Sequence, residues 1–433
     1  IYDGVFKLPP AHILVFKNNK AEIRNYWSLD YLPKLRISEN DAAGEVLRLL
    51  EEAVRIRLYS DVPIGAFLSG GIDSSIVVAL MSRLSDKRIK TFCIGFEESD
   101  YNELKFARNV ADRYNTEHNE FIVKPNAMEV LPLLVERYGE PYADSSSIPT
   151  YYVSRETKKY VTVALNGDGG DENFAGYERY QAMIAAESFR KLPYMFKAAI
   201  TGLLSHLPDS INSKNRVRNI KRFFLAANLP EKDRYIRWLG VFDDNSKVCM
   251  YSDEFRSKLS GRDPVRLMDP YLGNLTGPGL PDKLLITDTN IYLPDDLLVK
   301  VDIASMANSL EARSPFLDHK LMEFVAKLPG EYKIKGFIKK YILKRAIKDL
   351  VPHENINRRK MGFGVPIGSW FRNDLKSFLR DTLLSERSLG RGYFKQDAVR
   401  NIIDMHIGKK EDHAYRLWAL LMLELWHRRF IDQ

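Results

Sequence analysis

The sequence predicts an α/β fold, in which a doubly wound parallel sheet carries a large, mostly helical C-terminal part. Two observations predict this fold. Between residues 45 and 185, short apolar strands alternate with amphipathic helices, a pattern typical of a parallel sheet that is covered by helices on both faces. After residue 185 the strand patterns fade and helical patterns dominate. Since connections between parallel strands are right-handed, we expect a doubly wound lobe.

The chain begins with a predicted hairpin and a predicted helix. The stretch AHILVFKNNKAEIRNYW at 11–27 predicts two strands around the polar turn Asn18-Asn19. Residues 42–59 place apolar side chains at helical spacing among Glu and Arg, so a helix should precede the sheet. We therefore expect a linker hairpin over 1–40 and a main domain over 41–433, divided into an α/β core at 41–185 and a mainly helical portion at 186–433.

Within the predicted core, four strands alternate with three helices. Apolar runs mark the strands, and apolar positions at helical spacing mark the helices. The strands are IGAFL at 64–68, KTFCIGF at 90–96, NEFIVK at 119–124 and YVTVALNG at 160–167, and the helices are SSIVVALMSRL at 74–84, NELKFARNVADRYN at 102–115 and AMEVLPLLVERYG at 127–139.

Composition excludes several classes of protein. With 45% hydrophobic and 28% charged residues the chain has the composition of a soluble globular protein, and no apolar run reaches the roughly 20 residues of a membrane span. The two cysteines, Cys93 and Cys249, have no CxxC spacing, which indicates a reducing, cytoplasmic location and no structural zinc site. The chain starts at Ile1 without an initiating methionine, so we expect a fragment or a processed product.

The net charge of +8 permits attraction to phosphates. The basic residues are nevertheless spread along the chain, so we expect no nucleic-acid track. Local clusters should be solvated helix faces or contacts to small anions. One such cluster contains Lys339, Lys340, Lys344 and Arg345.

The stretch FLSGGIDSS at 67–75 predicts an anion-binding turn between a strand and a helix. Gly70 and Gly71 let the backbone turn tightly and approach an anion. The amides of the first helical turn would point at that anion, helped by a partial charge of about +0.5 at the helix N-terminus. Ser69, Ser74 and Ser75 add hydroxyl donors. The alternative is a glycine turn with a serine helix cap.

An acidic residue inside this turn needs an explanation. The lysine of the Walker A loop, GxxxxGK(S/T), is absent. Asp73 would repel a phosphate unless a divalent cation lay between them, which makes it a candidate Mg²⁺ ligand. A second glycine-rich turn, NGDGGDENFAGY at 166–177, follows the fourth predicted strand. Asp73 and Asp171 could bracket Mg²⁺ on a pyrophosphate there, and the alternative is a capped, solvated helix start.

These motifs resemble a known family. SGGIDSS resembles the PP-loop of the ATP pyrophosphatases, and NGDGGDENFAGY resembles the asparagine synthetase signature, with Asn166 in place of the usual serine and Asp168 in place of the usual glutamate. GVFKLPPAH at 4–12, LPDDLLVKVDIASMANSLEARSPFLDHKLMEF at 293–324 and RRKMGFGVP at 358–366 resemble further stretches of that family. The chain is thus identified as a member of the glutamine-hydrolysing, class B asparagine synthetase family, represented by its C-terminal ATP-pyrophosphatase domain.

The resemblance implies a set of site residues. It implies that Asp168 orients substrate or shuttles a proton, and that Lys360 neutralises charge on the reacting phosphates. The alternatives are plain core packing at Ile94, a surface ion pair of Glu311 with Arg313, and a solvated loop lysine at 360. The implied ATP and pyrophosphate contacts are Leu68, Ser69, Gly70, Gly71, Asp73, Ser74, Ser75, Ile94, Asn166 and Gly167, the metal ligands Asp73 and Asp171, and the substrate contacts Asp144, Glu172 and Arg313.

The resemblance also implies a reaction. Aspartate would be amidated at the expense of Mg·ATP through β-aspartyl-AMP, releasing AMP and pyrophosphate, with ammonia from a glutaminase domain that is absent from this chain. The expected partners also include a second copy of the chain in a homodimer. They include neither nucleic acid nor a membrane. One alternative is an amidotransferase acting on a sugar acid or peptide carboxylate in polysaccharide or secondary-metabolite synthesis. More distant alternatives are a tRNA-modifying PP-loop enzyme and a non-catalytic binding module.

Overall fold

A computed structural model describes residues 1–96, 103–123, 126–193, 195–197, 200, 202, 216–273, 275–358 and 362–432. The chain forms two compact units, each assembled from three segments. The first unit contains 1–124, 149–177 and 276–362, and the second contains 125–148, 178–275 and 363–433. The Lys360 position falls outside the described residues, so its role stays a prediction. The predicted domain limits stay a prediction as well. The two units interleave along the sequence.

Nine strands are described. They are β1 His12–Lys17, β2 Lys20–Asn25, β3 Ile64–Phe67, β4 Lys90–Gly95, β5 Glu117–Ile122, β6 Val163–Leu165, β7 Glu311–Arg313, β8 Ile334–Lys335 and β9 Ile338–Lys339.

The described α-helices of the N-terminal half are α1 Glu39–Arg57, α2 Ile72–Leu84, α3 Leu104–Arg113, α4 Ala127–Tyr138, α5 Ser147–Lys158, α6 Gly170–Phe174, α7 Glu178–Arg190 and α8 Arg216–Ala227. Those that follow are α9 Glu231–Leu239, α10 Asp244–Met250, α11 Asp253–Lys258, α12 Leu280–Thr287, α13 Leu298–Met306, α14 His319–Lys327, α15 Gly330–Lys333, α16 Tyr341–Ala346, α17 His353–Asn357, α18 Ile367–Arg372, α19 Lys376–Leu383, α20 Glu386–Leu389, α21 Gln396–Ile407 and α22 Ala414–Phe430. Short 3-10 turns lie at Pro264–Met268 and Pro315–Leu317, and π-helical segments at Asp269–Gly273 and Asp288–Leu297.

The first unit is built on a five-stranded sheet in the order β5-β4-β3-β6-β7. All four pairings are parallel. The chain leaves the central strand β3 toward β4 and β5, and later adds β6 on the other side, so the predicted doubly wound parallel sheet is confirmed. The fifth strand, β7, was not predicted, because its three residues Glu-Ala-Arg carry no apolar pattern.

The core of this unit lies between the sheet and the helices that follow its strands. Helix α2 buries every side chain from Ile76 to Met81, as expected for a helix that packs on several sides. Helix α1 begins at the cap residue Ser38, whose hydroxyl accepts the Asp41 amide at 3.2 Å, and it buries Val46 and Leu50 in the same core. The predicted helix at 42–59 is therefore present at 39–57.

A buried ion cluster joins the linker segment to helices α12 and α15. Lys333 is fully buried, and its Nζ lies 2.7 Å from Asp282 Oδ1. Lys34 Nζ lies 2.7 Å from the other oxygen, Asp282 Oδ2. Both ammonium groups also lie over the Tyr31 ring, at 4.9 and 5.4 Å from its centroid. Burial lowers the pKa of Lys333 to about 7, while Asp282 acts in the opposite direction.

The second unit is helical in the part of it that is described. Its longest helix, α22, has Leu417, Trp418 and Leu421 fully buried and packs against α4, α18 and α19. The Trp426 indole donates a hydrogen bond to Gly139 O, at the end of α4, at 2.9 Å. The predicted helical C-terminal part is confirmed, although residues 276–362 belong to the first unit. None of the described helices is long and apolar enough to cross a membrane.

Candidate active site

Three of the implied ATP contacts lie at strand ends that are neighbours in the sheet. Leu68 follows β3, Ile94 lies near the end of β4 and Gly167 follows β6. Since β3 lies between β4 and β6, these backbones lie along one edge, where ligands of open α/β sheets bind. Leu68 and Ile94 have buried side chains, and the Leu68 amide donates to Phe92 O at 2.8 Å. Contact of ATP with these residues stays a prediction.

The first glycine turn forms a compact loop of hydroxyl and amide groups. Gly70 adopts a positive φ of 70°, which a glycine tolerates without a Cβ penalty. Ser69 Oγ lies 3.2 Å from Ser74 Oγ and accepts the Gly71 amide at 3.3 Å. Ser74 Oγ also donates to Gly71 O at 3.2 Å. The loop is thus held by its own polar groups.

Helix α2 begins at this loop without a capping side chain. Gly71 is its N-cap residue and makes no side-chain cap hydrogen bond. The Ser75 side chain is fully buried, and its Oγ has no hydrogen-bond partner among the described residues. The first amides of a helix have no acceptor within the helix, and together with the buried Ser75 hydroxyl they are suited to an anion.

A lysine that the sequence analysis did not single out joins the two acidic turns. Lys340 is 5% exposed, and its Nζ lies 2.6 Å from both carboxylate oxygens of Asp73. The same Nζ lies 2.7 Å from Asp171 Oδ1. The basic cluster that contains Lys340 predicted only a solvated helix face or a contact to a small anion. Its position just before α16, in a left-handed conformation, has no local sequence signal.

The two glycine turns touch each other directly. A Cβ on Gly167 would lie 2.7 Å from Asp73 Cβ and 2.9 Å from Ser74 N, and a Cβ on Gly176 would overlap the side chains of Asp171 and Lys340. Glycine is therefore needed at both positions for the acidic turns to meet. Asp73 and Asp171 thus lie beside the same ammonium group, and their role as Mg²⁺ ligands stays a prediction.

Gly167→Ala should disrupt this contact. A methyl group would push against the backbone of α2, and overpacking of this kind costs about 1–3 kcal/mol of unfolding free energy. We expect weaker binding of Mg·ATP and a lower unfolding midpoint, measured by calorimetric titration and by urea denaturation. Gly44→Ala is the control, since a Cβ there meets open space in the middle of α1 and should stabilise the chain by about 0.5–1 kcal/mol. Equal behaviour of the two variants would contradict the prediction.

The donor set determines which cation could bind here. Within the described parts of the chain, no group of three or more His, Cys, Asp or Glu side chains is placed to hold a metal ion. Mg²⁺ usually takes one or two carboxylates and completes its shell with water and substrate phosphates. Asp73 and Asp171 already share one cation, the Lys340 ammonium. The residues therefore fit a Mg²⁺ ion that arrives with a phosphate chain.

Glu172 is a buried acid next to this pair. Its side chain is 2% exposed, and burial raises its pKa to about 7, while the Tyr177 hydroxyl, which donates a hydrogen bond to it, acts in the opposite direction. The group can therefore hold or release a proton near neutral pH. Its predicted contact with substrate stays a prediction.

Asn166 and Asp168 lie at the end of β6. Asn166 Oδ1 accepts the Ser314 hydroxyl at 2.5 Å and the Asp168 amide at 3.3 Å. Its buried Nδ2 has no hydrogen-bond partner among the described residues, which leaves a donor for a ligand. Asp168 is partly exposed, and its role toward substrate stays a prediction.

Two of the predicted substrate contacts, Asp144 and Arg313, make hydrogen bonds within the protein that are sufficient to give each a structural role. The Asp144 carboxylate, in the second unit, accepts the Ser146 amide at 2.8 Å and the Ser146 hydroxyl at 2.7 Å, just ahead of α5. In the first unit, Arg313 donates to the carbonyls of Arg57 and Tyr59 at 2.9 and 2.7 Å and pairs with Glu311 at 2.7 Å. Their roles toward substrate stay predictions.

Known proteins resemble this chain over most of its length. The family model for asparagine synthase matches residues 45–428. An asparagine synthetase (glutamine-hydrolyzing) of Bacillus subtilis is 30% identical over 98% of this chain and 65% of its own length. A putative asparagine synthetase (glutamine-hydrolyzing) of Mycobacterium bovis is 32% identical over 91% of this chain and 59% of its own length. An amidase of Gibberella zeae, chry2, is 26% identical over 96% of this chain and 66% of its own length.

The chain thus spans about 60 to 65% of the length of the two synthetases. The matched region includes both glycine turns, Lys340 and every predicted site residue. The chain belongs to the asparagine synthase family.

Proposed function

We propose that the protein amidates aspartate at the expense of ATP, through β-aspartyl-AMP, and releases AMP and pyrophosphate. The family supports an ATP-using ligase of the amidotransferase type. One observation carries the proposed reaction with ATP. The single ammonium group of Lys340 is shared by Asp73 and Asp171 at the carboxyl edge of the sheet. This arrangement concentrates charge and donors where a pyrophosphate would lie.

The loop and the lysine would bind the phosphates together. The free amides of α2 and the hydroxyls of Ser69, Ser74 and Ser75 would donate to the phosphate oxygens. Lys340 would add a positive charge that is already held in place before substrate binds. Asp73 and Asp171 would hold Mg²⁺, which supplies positive charge to the phosphates when it is bound.

The reaction would proceed in two steps. A β-carboxylate oxygen of aspartate attacks the α-phosphorus of ATP, and the bond from that phosphorus to the bridging oxygen breaks as pyrophosphate leaves. Ammonia then attacks the activated carbonyl carbon, loses a proton, and AMP leaves. We propose that Asp168 orients the substrate or accepts that proton, and that Lys360 neutralises charge on the phosphates.

The ammonia source is part of the proposal. The two synthetase relatives are named as glutamine-hydrolyzing, and this chain spans about 60 to 65% of their length. We propose that a glutaminase domain beyond residues 1–433 supplies ammonia to this site. An ammonium salt should replace that domain in an assay of this chain.

The proposed reaction predicts AMP as its nucleotide product. With ATP radiolabelled at the α-phosphate, aspartate and an ammonium salt, we expect labelled AMP together with asparagine. Asp73→Ala should lower the rate at least about 100-fold, because it removes a carboxylate from the phosphate site. Asp41→Ala is the matched control, since Asp41 is an exposed residue in the first turn of α1. Release of ADP, or full activity of Asp73→Ala, would refute the proposal.

Two observations favour a sugar acid or a peptide carboxylate as the acceptor. The relatives include the amidases chry2 of Gibberella zeae and chyE of Penicillium rubens, and Asp168 is shorter than the glutamate that the resemblance implies at this position. A panel of sugar acids and small peptides with free carboxylates, compared with aspartate by AMP release, separates the two proposals. Faster AMP release with one of those carboxylates than with aspartate would favour the amidotransferase.

A further inference from the structure

The segment that links Lys340 to the 358–366 motif runs along helix α3. The segment runs antiparallel to α3, and its residues contact the helix at successive turns. The contacts are Arg113 to Asp349 O at 2.6 Å, Tyr114 to Leu350 O at 2.6 Å, Asn109 to Glu354 at 3.3 Å, Asn355 to Phe106 O at 2.8 Å, and the ion pair of Arg358 with Glu103.

One residue of this segment also reaches the first glycine turn, at Gly70. Asn355 is fully buried, and its Nδ2 donates to Phe106 O at 2.8 Å and to Gly70 O at 2.9 Å. Because both partners are carbonyl oxygens, the donor atom must be the amide nitrogen. The Gly70 backbone also lies directly on α3, since a Cβ there would clash with the backbone of Phe106 and Ala107.

The bond to Gly70 O determines the direction of the next amide. In a trans peptide the carbonyl of one residue and the N–H of the following residue point in opposite directions. With Gly70 O held toward Asn355, the Gly71 N–H points to the other side, where it meets Ser69 Oγ at 3.3 Å. That side carries the hydroxyls of the loop.

A peptide between two glycines can turn over easily. If this one did, φ of Gly71 would move from −70° into the positive range, which only glycine adopts readily. The Gly70 carbonyl would then point into the loop, where its partial negative charge would oppose a phosphate.

We propose that Asn355 is a positioning residue, which keeps the Gly70–Gly71 peptide turned so that the Gly71 N–H, and not the Gly70 carbonyl, faces the bound pyrophosphate. The inference rests on the proposed function, because it assigns a phosphate to this loop. Asn355 acts on the anion only through the loop backbone.

The test is a double-mutant cycle on the 433-residue chain, with Mg·pyrophosphate as the titrated probe in calorimetry. Asn355→Leu keeps the size of the side chain and removes the donor, and we expect it to weaken binding roughly 10-fold. Gly71→Ala forbids the turned-over peptide, while its Cβ meets only Ser69 Oγ, at 3.3 Å. In the Gly71→Ala background, Asn355→Leu should therefore weaken binding less than about 3-fold.

Controls separate positioning from folding. Asn109→Leu lies on the same interface and contacts Glu354, not the loop, so its affinity for Mg·pyrophosphate should stay unchanged. Circular dichroism checks that each variant is folded, and Asn355→Ala replaces Asn355→Leu if the latter does not fold. In turnover assays Asn355→Leu should raise the KM for ATP and change kcat little.

Three results would overturn the inference. They are equal weakening in both backgrounds, no weakening by Asn355→Leu, and no binding of Mg·pyrophosphate by the unsubstituted chain. Failure of the proposed amidation has a different signature, since the chain would then bind Mg·pyrophosphate without converting aspartate to asparagine.

Discussion

Lys340→Met should lower the rate of AMP formation at least about 100-fold. The substitution keeps most of the side-chain volume and removes the charge that Asp73 and Asp171 share. Two carboxylates would then face the phosphate site without an ammonium group, and they would repel the polyphosphate chain of ATP. Steady-state rates at saturating ATP, together with titration of Mg·pyrophosphate, measure the loss of rate and the loss of affinity separately.

Lys335→Met is the matched control for this experiment. Lys335 lies on the β8–β9 hairpin near Lys340 in sequence, and its ammonium pairs with Glu39 at 2.6 Å on the surface. Its loss should change the rate by less than about twofold, because exposed pairs contribute little. Activity of Lys340→Met within a few-fold of the unsubstituted chain would show that Lys340 is a structural ion-pair partner only.

Asp282→Ala should lower the free energy of unfolding by about 3–5 kcal/mol. Asp282 is nearly fully buried and is the carboxylate that both Lys333 and Lys34 contact at 2.7 Å. Without it, two ammonium groups would lie close together over the Tyr31 ring, with neither neutralised by this acid. Urea denaturation followed by circular dichroism measures the change.

Lys333→Met provides the comparison for Asp282→Ala. Lys34 would still neutralise Asp282, and the apolar side chain would fill the space of the buried lysine. We therefore expect a clearly smaller loss of stability for Lys333→Met, since replacement of a buried charge by a similar apolar group is often tolerated. If both variants lose equally, packing and not charge balance explains the cluster.

The local sequence was sufficient for the elements that make the candidate site. The apolar run before Leu68 and the glycines at 70 and 71 predicted a strand, a tight turn and a helix, and the structure has all three. The second acidic turn was likewise placed at the end of a strand. These features depend on residues close together in the chain, so periodicity and turn chemistry reveal them.

The partners that complete the site come from distant segments. Lys340 meets Asp73 across 267 positions of sequence, and Asn355 meets Gly70 across 285. Strand β7 is recognised only by its pairing with β6. No local pattern encodes such contacts, because they depend on how the 276–362 segment packs in the first unit.

The sequence by itself thus determined the class of fold, the tight glycine turn before α2 and the two acids that meet beside it. Only the tertiary structure decided which cation lies between those acids and which side chain holds the loop. Short-range geometry is a property of neighbouring residues, whereas charge pairing and buried hydrogen bonds depend on the packing of the whole unit.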